Sequence, residues 1–353
     1  MLLDQKYQPK TLDDIQFNRK HASNLKNFTL STIPHLIVHG RPGCGKRTLV
    51  YAFINHLFGK QPKTHHRSIE VVSSSDKKIT ISYVESEEYV EICPSDYNFK
   101  DKDVIQDVIK KMAETKPILS LISRTKSEKL KLIVITKAEK MTKDAQAALR
   151  RTVETYVDNF RMIMICNDTT GIIDPIKSRM LCLRVTVASS DVLLKTLSEI
   201  NDVECIGSDE KTLKQIISDS HGNFRRALFF LQRMQLNSTG EEKTKRLKKQ
   251  EGEFKLEWET VVTDMVKMMV KEQSNTVVMN IRSHLNELLI KCIPPRLILK
   301  ALFETLMSTV KQTEYHNLCT LTAKYDCRIT LGTKSIFHLE AYVIAVMLLL
   351  QRK

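Results

Sequence analysis

Residues 36–48, LIVHGRPGCGKRT, have the types and spacing to hold a phosphate. Gly40 to Lys46 match the pattern G-x-x-x-x-G-K. Gly40, Gly43 and Gly45 let the backbone curl until its N–H groups face phosphate oxygens, and Lys46 adds positive charge near the terminal phosphates. A helix starting there lends its positive end. One position departs from the pattern. The Ser or Thr expected after the lysine, the usual magnesium ligand, is Arg47, and Thr48 comes one place late. The loop predicts ATP or ADP binding, with magnesium held weakly or not at all.

The elements that must position this loop are also legible. Apolar runs at Leu36 to Val38, Leu130 to Thr136, Met162 to Cys166 and 180–185 read as buried strands. Leu49 to Phe58 has helical spacing and stops at Gly59. Residues 67–92 alternate apolar and polar, which predicts strands with a turn near Ser75-Asp76. Pro94-Ser95-Asp96 breaks them, and Ser95 or Asp96 could cap a helix with Val104, Ile105, Val108 and Ile109 on one face. Thr142 can cap another that runs to Tyr156. Strands alternating with helices argue for a parallel sheet covered on both faces. Residues 188–235 read as a small helical unit, 237–253 as a charged linker, and 254–353 as helices throughout.

With 353 residues there is room for two or three domains. Hydrophobic content of 42% and charged content of 27% are those of a soluble globular protein. No apolar run is long enough to span a bilayer, so no membrane partner is expected. The opening, MLLDQKYQPK, lacks the basic-then-apolar layout of a signal peptide. Eight cysteines with no C-x-x-C pair suggest neither zinc nor disulfides, so no metal site is expected, and Cys44, Cys93, Cys166 and Cys182 read as buried thiols in a reducing compartment. A net charge of +14 points to a polyanionic partner, nucleic acid first.

Taken in order, these motifs resemble an AAA+ ATPase: phosphate loop, second strand, third strand ending at Asn167, Ser178-Arg179, then a helical lid with Gly-Asn-Phe-Arg. Within that superfamily KYQPKTLDDI, MTKDAQAALRRTVE, DPIKSRM and GNFRRAL resemble motifs of clamp-loader small subunits, and LGTKSIFHLEAYVIAVM resembles a collar terminus. The likeness covers nearly the whole chain. It is closest to the small subunit of replication factor C whose ATPase motifs are degenerate. The resemblance implies an α/β AAA+ P-loop core with a parallel sheet over 1–186, a helical lid over 187–236, a linker over 237–253 and an all-α collar over 254–353. It also implies a place in a five-part complex, with other replication factor C subunits, the sliding clamp PCNA and primer–template DNA as partners, and alternative large subunits in other loaders. Such a complex works in DNA replication and repair, in the nucleus.

An active AAA+ site needs an Asp-Glu pair at the end of the second strand, for magnesium and for the attacking water. Here Thr136 and Lys137 stand there, with Glu139 two residues on. The chain's own pocket should therefore bind nucleotide without turning it over, with Arg47 and Lys137 standing in for metal charge against the phosphates. The resemblance makes Arg179 an arginine finger acting in trans on the next subunit's nucleotide. Tyr7 and Pro9 lie beside the base, and Asn167 and Arg225 sense the phosphates. One of Arg150 and Arg151 links DNA contact to the neighbouring site. Lys100, Lys102 and Lys110 would track DNA phosphates, along with Arg124, Lys126, Lys129 and Lys131. Two rival readings are a self-contained AAA+ ATPase such as a helicase loader, against which Thr136 and Lys137 weigh, and a nucleotide-free scaffold, against which the intact loop weighs.

Overall fold

The apolar runs that read as strands pair into one sheet in the computed structural model, which describes residues 2–59, 62–72, 78–86, 88–105, 109–110, 131–157, 159–238, 256–310 and 312–351. The chain divides into two compact units, residues 1–252 and 253–353.

In the first unit the strands are β1 (Leu36–His39), β2 (His65–Val72), β3 (Lys78–Glu85), β4 (Tyr89–Ile92), β5 (Lys131–Thr136), β6 (Phe160–Cys166) and β7 (Leu181–Arg184). Their order is β2-β3-β4-β5-β6-β1-β7. β1 runs parallel to both β6 and β7, and β4, β5 and β6 are parallel to one another. The sheet departs from the all-parallel expectation at one edge, where β2 and β3 form an antiparallel hairpin that joins β4. The alternation of β3, with Ile81 and Tyr83 buried and Thr80 and Ser82 exposed, suits a strand with one exposed face, residues 65–70 of the edge strand β2 are exposed throughout, and the apolar runs of β1, β5 and β6 suit strands covered on both faces. The turn expected near Ser75-Asp76 lies outside the described residues.

The helices of this unit are α1 (Leu3–Lys6), α2 (Arg19–Lys26), α3 (Lys46–Phe58), α4 (Asp101–Val104), α5 (Lys143–Thr155), α6 (Asp174–Lys177), α7 (Ser190–Val203), α8 (Glu210–Asp219) and α9 (Phe224–Ser238). Alternate strand residues feed two cores. Ile133, Ile135, Met162 and Met164 pack with Leu149 and Val153 of α5. Leu132, Val134, Ile163 and Ile165 pack with Val50 and Phe53 of α3. Gly59 ends α3 in the left-handed conformation that glycine adopts without strain. Thr142 caps α5, accepting from the Ala145 N–H at 3.2 Å. Fully buried Asp101 holds the cap in place, accepting from the Thr142 N–H at 2.7 Å and its hydroxyl at 2.9 Å. Neither Ser95 nor Asp96 starts an α-helix directly: a 3-10 segment, Pro94–Lys100, precedes α4. Cys44 and Cys166 are buried and Cys93 is half-buried, but Cys182 is exposed because it lies on the edge strand β7.

The second unit consists of α10 (Glu257–Lys271), α11 (Asn275–Ile290), α12 (Pro295–Thr309), α13 (Tyr315–Leu331) and α14 (Ser335–Gln351), with a short 3-10 turn at Gln312–Glu314. Leu285, Leu302, Leu318, Leu339, Tyr342 and Val346 form its centre, all inaccessible to solvent. Helix α14 is apolar on every side. One face enters this core, while Phe337, Ile344 and Leu348 on the other are 54%, 43% and 55% exposed. The spacing of those three, i, i+7 and i+11, forms a single stripe.

Candidate nucleotide site

The phosphate loop leaves β1 at His39 and enters α3 at Lys46. Gly43 and Gly45 have φ of +76° and +87°, which other residues adopt only under strain. A Cβ on Gly43 would lie 1.8 Å from Asn223 Oδ1 of the lid, and one on Gly40 2.2 Å from the Val185 carbonyl. The glycines are thus required both by the turn and by the close approach of neighbours. Buried Lys46 donates through Nζ to the carbonyls of Gly40 at 2.7 Å and Arg41 at 2.9 Å, and to Asn167 Oδ1 at 3.0 Å. Its burial lowers its pKa. Asn167, just past the end of β6, donates in turn to Glu139 Oε1 at 2.8 Å. Glu139 Oε2 is buried without a partner. Lys46, Asn167 and Glu139, 93 to 121 residues apart from the lysine, therefore form one polar chain at the mouth of the loop.

Beside the loop lies a cavity of about 280 Å³, whose walls include Tyr7, Pro9, Gly45, Thr48 and Phe224. The segment before α2 forms one wall and the lid helices another. These two walls are tied together. Glu204 Oε1 accepts from Tyr7 Oη at 2.5 Å and Lys6 Nζ at 2.6 Å, and Oε2 accepts from Gln235 at 3.2 Å. The donors from Lys6 and Tyr7 hold the Glu204 carboxyl down at about 2. Burial and the Glu204 bond push the Tyr7 phenol up to about 12. Arg225 pairs with Asp4 at 3.1 Å, and the rings of Phe17 and Phe224 meet edge to face at 4.9 Å. Tyr7, Pro9, Gly45 and Thr48 are thus brought to one cavity, with Gly40, Gly43, Lys46 and Asn167 at its phosphate end. Arg225 is turned to the N-terminal segment.

Arg47 and Lys137, expected against the phosphates, are each paired with a carboxylate in the structure. The Arg47 guanidinium reaches β4, where Nη2 donates to Glu91 Oε1 at 2.5 Å, while Nε donates to Tyr51 Oη at 2.5 Å. Tyr51 donates to the other Glu91 oxygen at 2.6 Å, completing a closed trio. Glu91 is only 6% exposed, and a buried carboxylate draws in the nearest cation. Lys137 pairs with Asp96 at 2.9 Å, a bond that raises the lysine pKa and lowers the aspartate's. Its left-handed backbone, φ +52°, closes β5 into a 3-10 turn, Ala138–Lys140.

The residues present fit a nucleotide: a glycine cradle, a buried lysine and a base-sized cavity. The side chain after Lys46 is spent on Glu91, and Thr136 and Lys137 end β5. Among the described residues no cluster of His, Cys, Asp and Glu could hold a metal ion.

Arg179 lies elsewhere, beyond α6, with 39% of its side chain exposed. It pairs with Glu154 of α5, which also pairs with Arg150. Lys102 is exposed on α4, and Lys110 is exposed too. The Lys100 side chain and residues Arg124, Lys126 and Lys129 lie outside the described residues, and Lys131 opens β5. Sequence reasoning missed Glu91, Asp96, Asp4 and Glu204, the carboxylates that take up the site's cations and staple its walls. No local pattern marks them. Asn223 carried a signal, an Asn before an apolar helix, and its Oδ1 does accept from the Arg226 N–H at 3.2 Å.

A phosphate loop following a strand flanked on both sides by parallel neighbours in a mainly parallel sheet, a helical lid against the loop and a separate all-helical unit define an AAA+ P-loop protein with an all-α C-terminal domain. Comparisons with known proteins narrow the class. A family model described as replication factor C subunit 3, C-terminal domain, matches residues 258–353, and one described as DNA polymerase III, delta subunit, matches residues 19–199. Replication factor C subunit 5 of Schizosaccharomyces pombe is 34% identical over 350 residues, covering 98% of this chain and 95% of the relative. Subunit 5 of Saccharomyces cerevisiae is 35% identical over 97% of each chain, and human subunit 3 is 30% identical over 98% of this chain and 95% of the relative. The chain belongs to the replication factor C small-subunit family.

Proposed function

We propose that this chain is a nucleotide-binding, non-hydrolysing subunit of a heteropentameric replication factor C clamp loader. Such an assembly uses ATP to open the sliding clamp PCNA and load it on primer–template DNA in replication and repair, in the nucleus. One observation carries the reading: the cations that replace catalytic positions are committed to carboxylates away from the loop, Arg47 to Glu91 and Lys137 to Asp96, while Lys46, Asn167 and the glycine cradle are kept. In this reading Gly40, Gly43, Gly45 and Lys46 hold the phosphates, Asn167 orients Lys46, and Tyr7, Pro9 and Thr48 border the base and sugar. Arg225 leaves Asp4 to reach the phosphates. Arg179 serves the neighbouring subunit's nucleotide in trans. The charge it supplies there stabilises the transferring phosphoryl group.

The apolar stripe of α14 supports assembly of the second unit as a collar, because large apolar side chains aligned along one exposed helix face suit contact with another protein. Exposed Lys102 and Lys110 suit contact with DNA phosphates, which is independent of sequence and weakened by salt.

Native mass spectrometry of the tagged chain taken gently from its own cells tests the assembly. A five-protein complex with one larger and three active small AAA+ subunits is expected, and the large subunits found show which loaders share this chain. A lone chain or a homo-oligomer refutes it. In the purified complex, Arg179→Ala should lower ATP turnover and leave nucleotide on this chain. Unchanged turnover removes the finger role.

A further inference from the structure

We propose that Glu154 is a positioning residue for Arg179, fixing the guanidinium plane before the neighbouring subunit's nucleotide arrives. This rests on the reading of Arg179 as a finger acting in trans. An exposed arginine ordinarily sweeps many rotamers, and that freedom must be lost before it can serve a transition state. Arg179 has already lost it. Its Nε lies 2.8 Å from Glu154 Oε1, and its Nη1 donates to the Pro175 carbonyl at 2.8 Å and to Ser178 Oγ at 3.2 Å. Contacts on two different nitrogens fix the plane of the fork. Among the described residues Nη2 has no partner, so two N–H donors remain for a phosphate oxygen.

Glu154 is itself held. Arg150, one turn earlier on α5, donates through Nε to the same Oε1 at 2.9 Å. The two arginines, Arg150 first, keep its pKa low. Two guanidinium groups on one carboxylate leave the cluster with a net charge of +1. Glu154 can therefore orient the finger without neutralising the site. The cluster also separates the two adjacent arginines of α5. Arg150 belongs to it, whereas Arg151 lies about 100° around the helix and does not.

The test uses the reconstituted complex with the other phosphate-loop lysines replaced, so that only the site facing Arg179 turns over. Arg179→Ala sets the scale, a loss on the order of 10³-fold in kcat. Glu154→Ala should lower kcat about tenfold with KM for ATP nearly unchanged, because the charge is still present but misplaced. Glu154→Gln keeps an acceptor for Nε and should lose less. A simple loss of folding would reduce assembly and move KM as well, and would not rank the two variants this way. If Glu154→Ala and Glu154→Gln match the parent while Arg179→Ala does not, the positioning role is wrong. If they turn over faster, Glu154 sequesters the finger and the proposal is overturned. If Arg179→Ala changes nothing, the finger reading itself fails.

Discussion

Restoring a hydroxyl after the phosphate-loop lysine should damage this protein instead of repairing it. Arg47→Thr supplies the residue type that usually meets magnesium. It also removes the cation from Glu91, a carboxylate 6% exposed and bonded at 2.5 Å by the lost guanidinium. Breaking a buried ion pair from one side costs about 3–5 kcal/mol, and a single hydrogen bond to a charged group about 1.5–3 kcal/mol. The Arg47 side chain is 55% exposed, and Glu91 keeps its bond from Tyr51, so solvent and the phenol offset part of the loss. A destabilisation of about 2–3 kcal/mol follows. For a unit of this size each kcal/mol shifts Tm by about 2–4 °C, so the fall should be on the order of 4–12 °C. Differential scanning calorimetry of the full chain measures it. Adding Glu91→Gln removes the stranded charge, and the double variant should recover at least half of the loss. Neither variant should gain ATP turnover over the parent, since Thr136 and Lys137 still stand where the acid pair is expected. A single variant that melts with the parent, or a double variant no better than the single one, would refute the account of Arg47 as a structural cation.

Two further outcomes are expected. Glu204→Ala cuts the tie between the N-terminal segment and the lid, and should speed release of a fluorescent ATP analogue several-fold; an unchanged dissociation rate would mean the staple does not gate the pocket. His35 accepts from the Met162 N–H at 3.1 Å with Nε2 buried and unpartnered, and burial, with Arg161 nearby, pushes its pKa down to about 4. The unfolded chain takes up that proton near pH 6.5 and the folded chain only near pH 4. Stability from this group is therefore complete above pH 6.5 and falls by about 3 kcal/mol as the pH drops to 4. Chemical denaturation from pH 7 to 4.5 should show a shallower slope in His35→Asn, and identical slopes would count against this burial effect.

The features read correctly from the chain are those whose causes are contiguous. A glycine turn between an apolar run and a helix folds on itself, so the loop from Gly40 to Lys46 could be placed without knowing what surrounds it. The same holds for Thr142 as a helix cap, for Gly59 as a helix stop and for the apolar runs of β1, β5 and β6. Even there the pairing was not local. The hairpin of β2 and β3 joins its edge antiparallel, because a short turn can reverse a chain where a parallel return needs a crossover.

By itself the sequence determined the kind of site this is, a phosphate loop without the acid pair that hydrolysis needs. Tertiary structure alone decided where the charged side chains point. Arg47 finds Glu91 at 44 residues' distance in the chain, Lys137 finds Asp96 at 41, Tyr7 finds Glu204 at 197, and Arg225 finds Asp4 at 221. A long cation can pair with any carboxylate within its reach, and for Arg47 the burial of Glu91 favours that choice. That choice depends on the packed sheet and lid, so no spacing along the chain could reveal it.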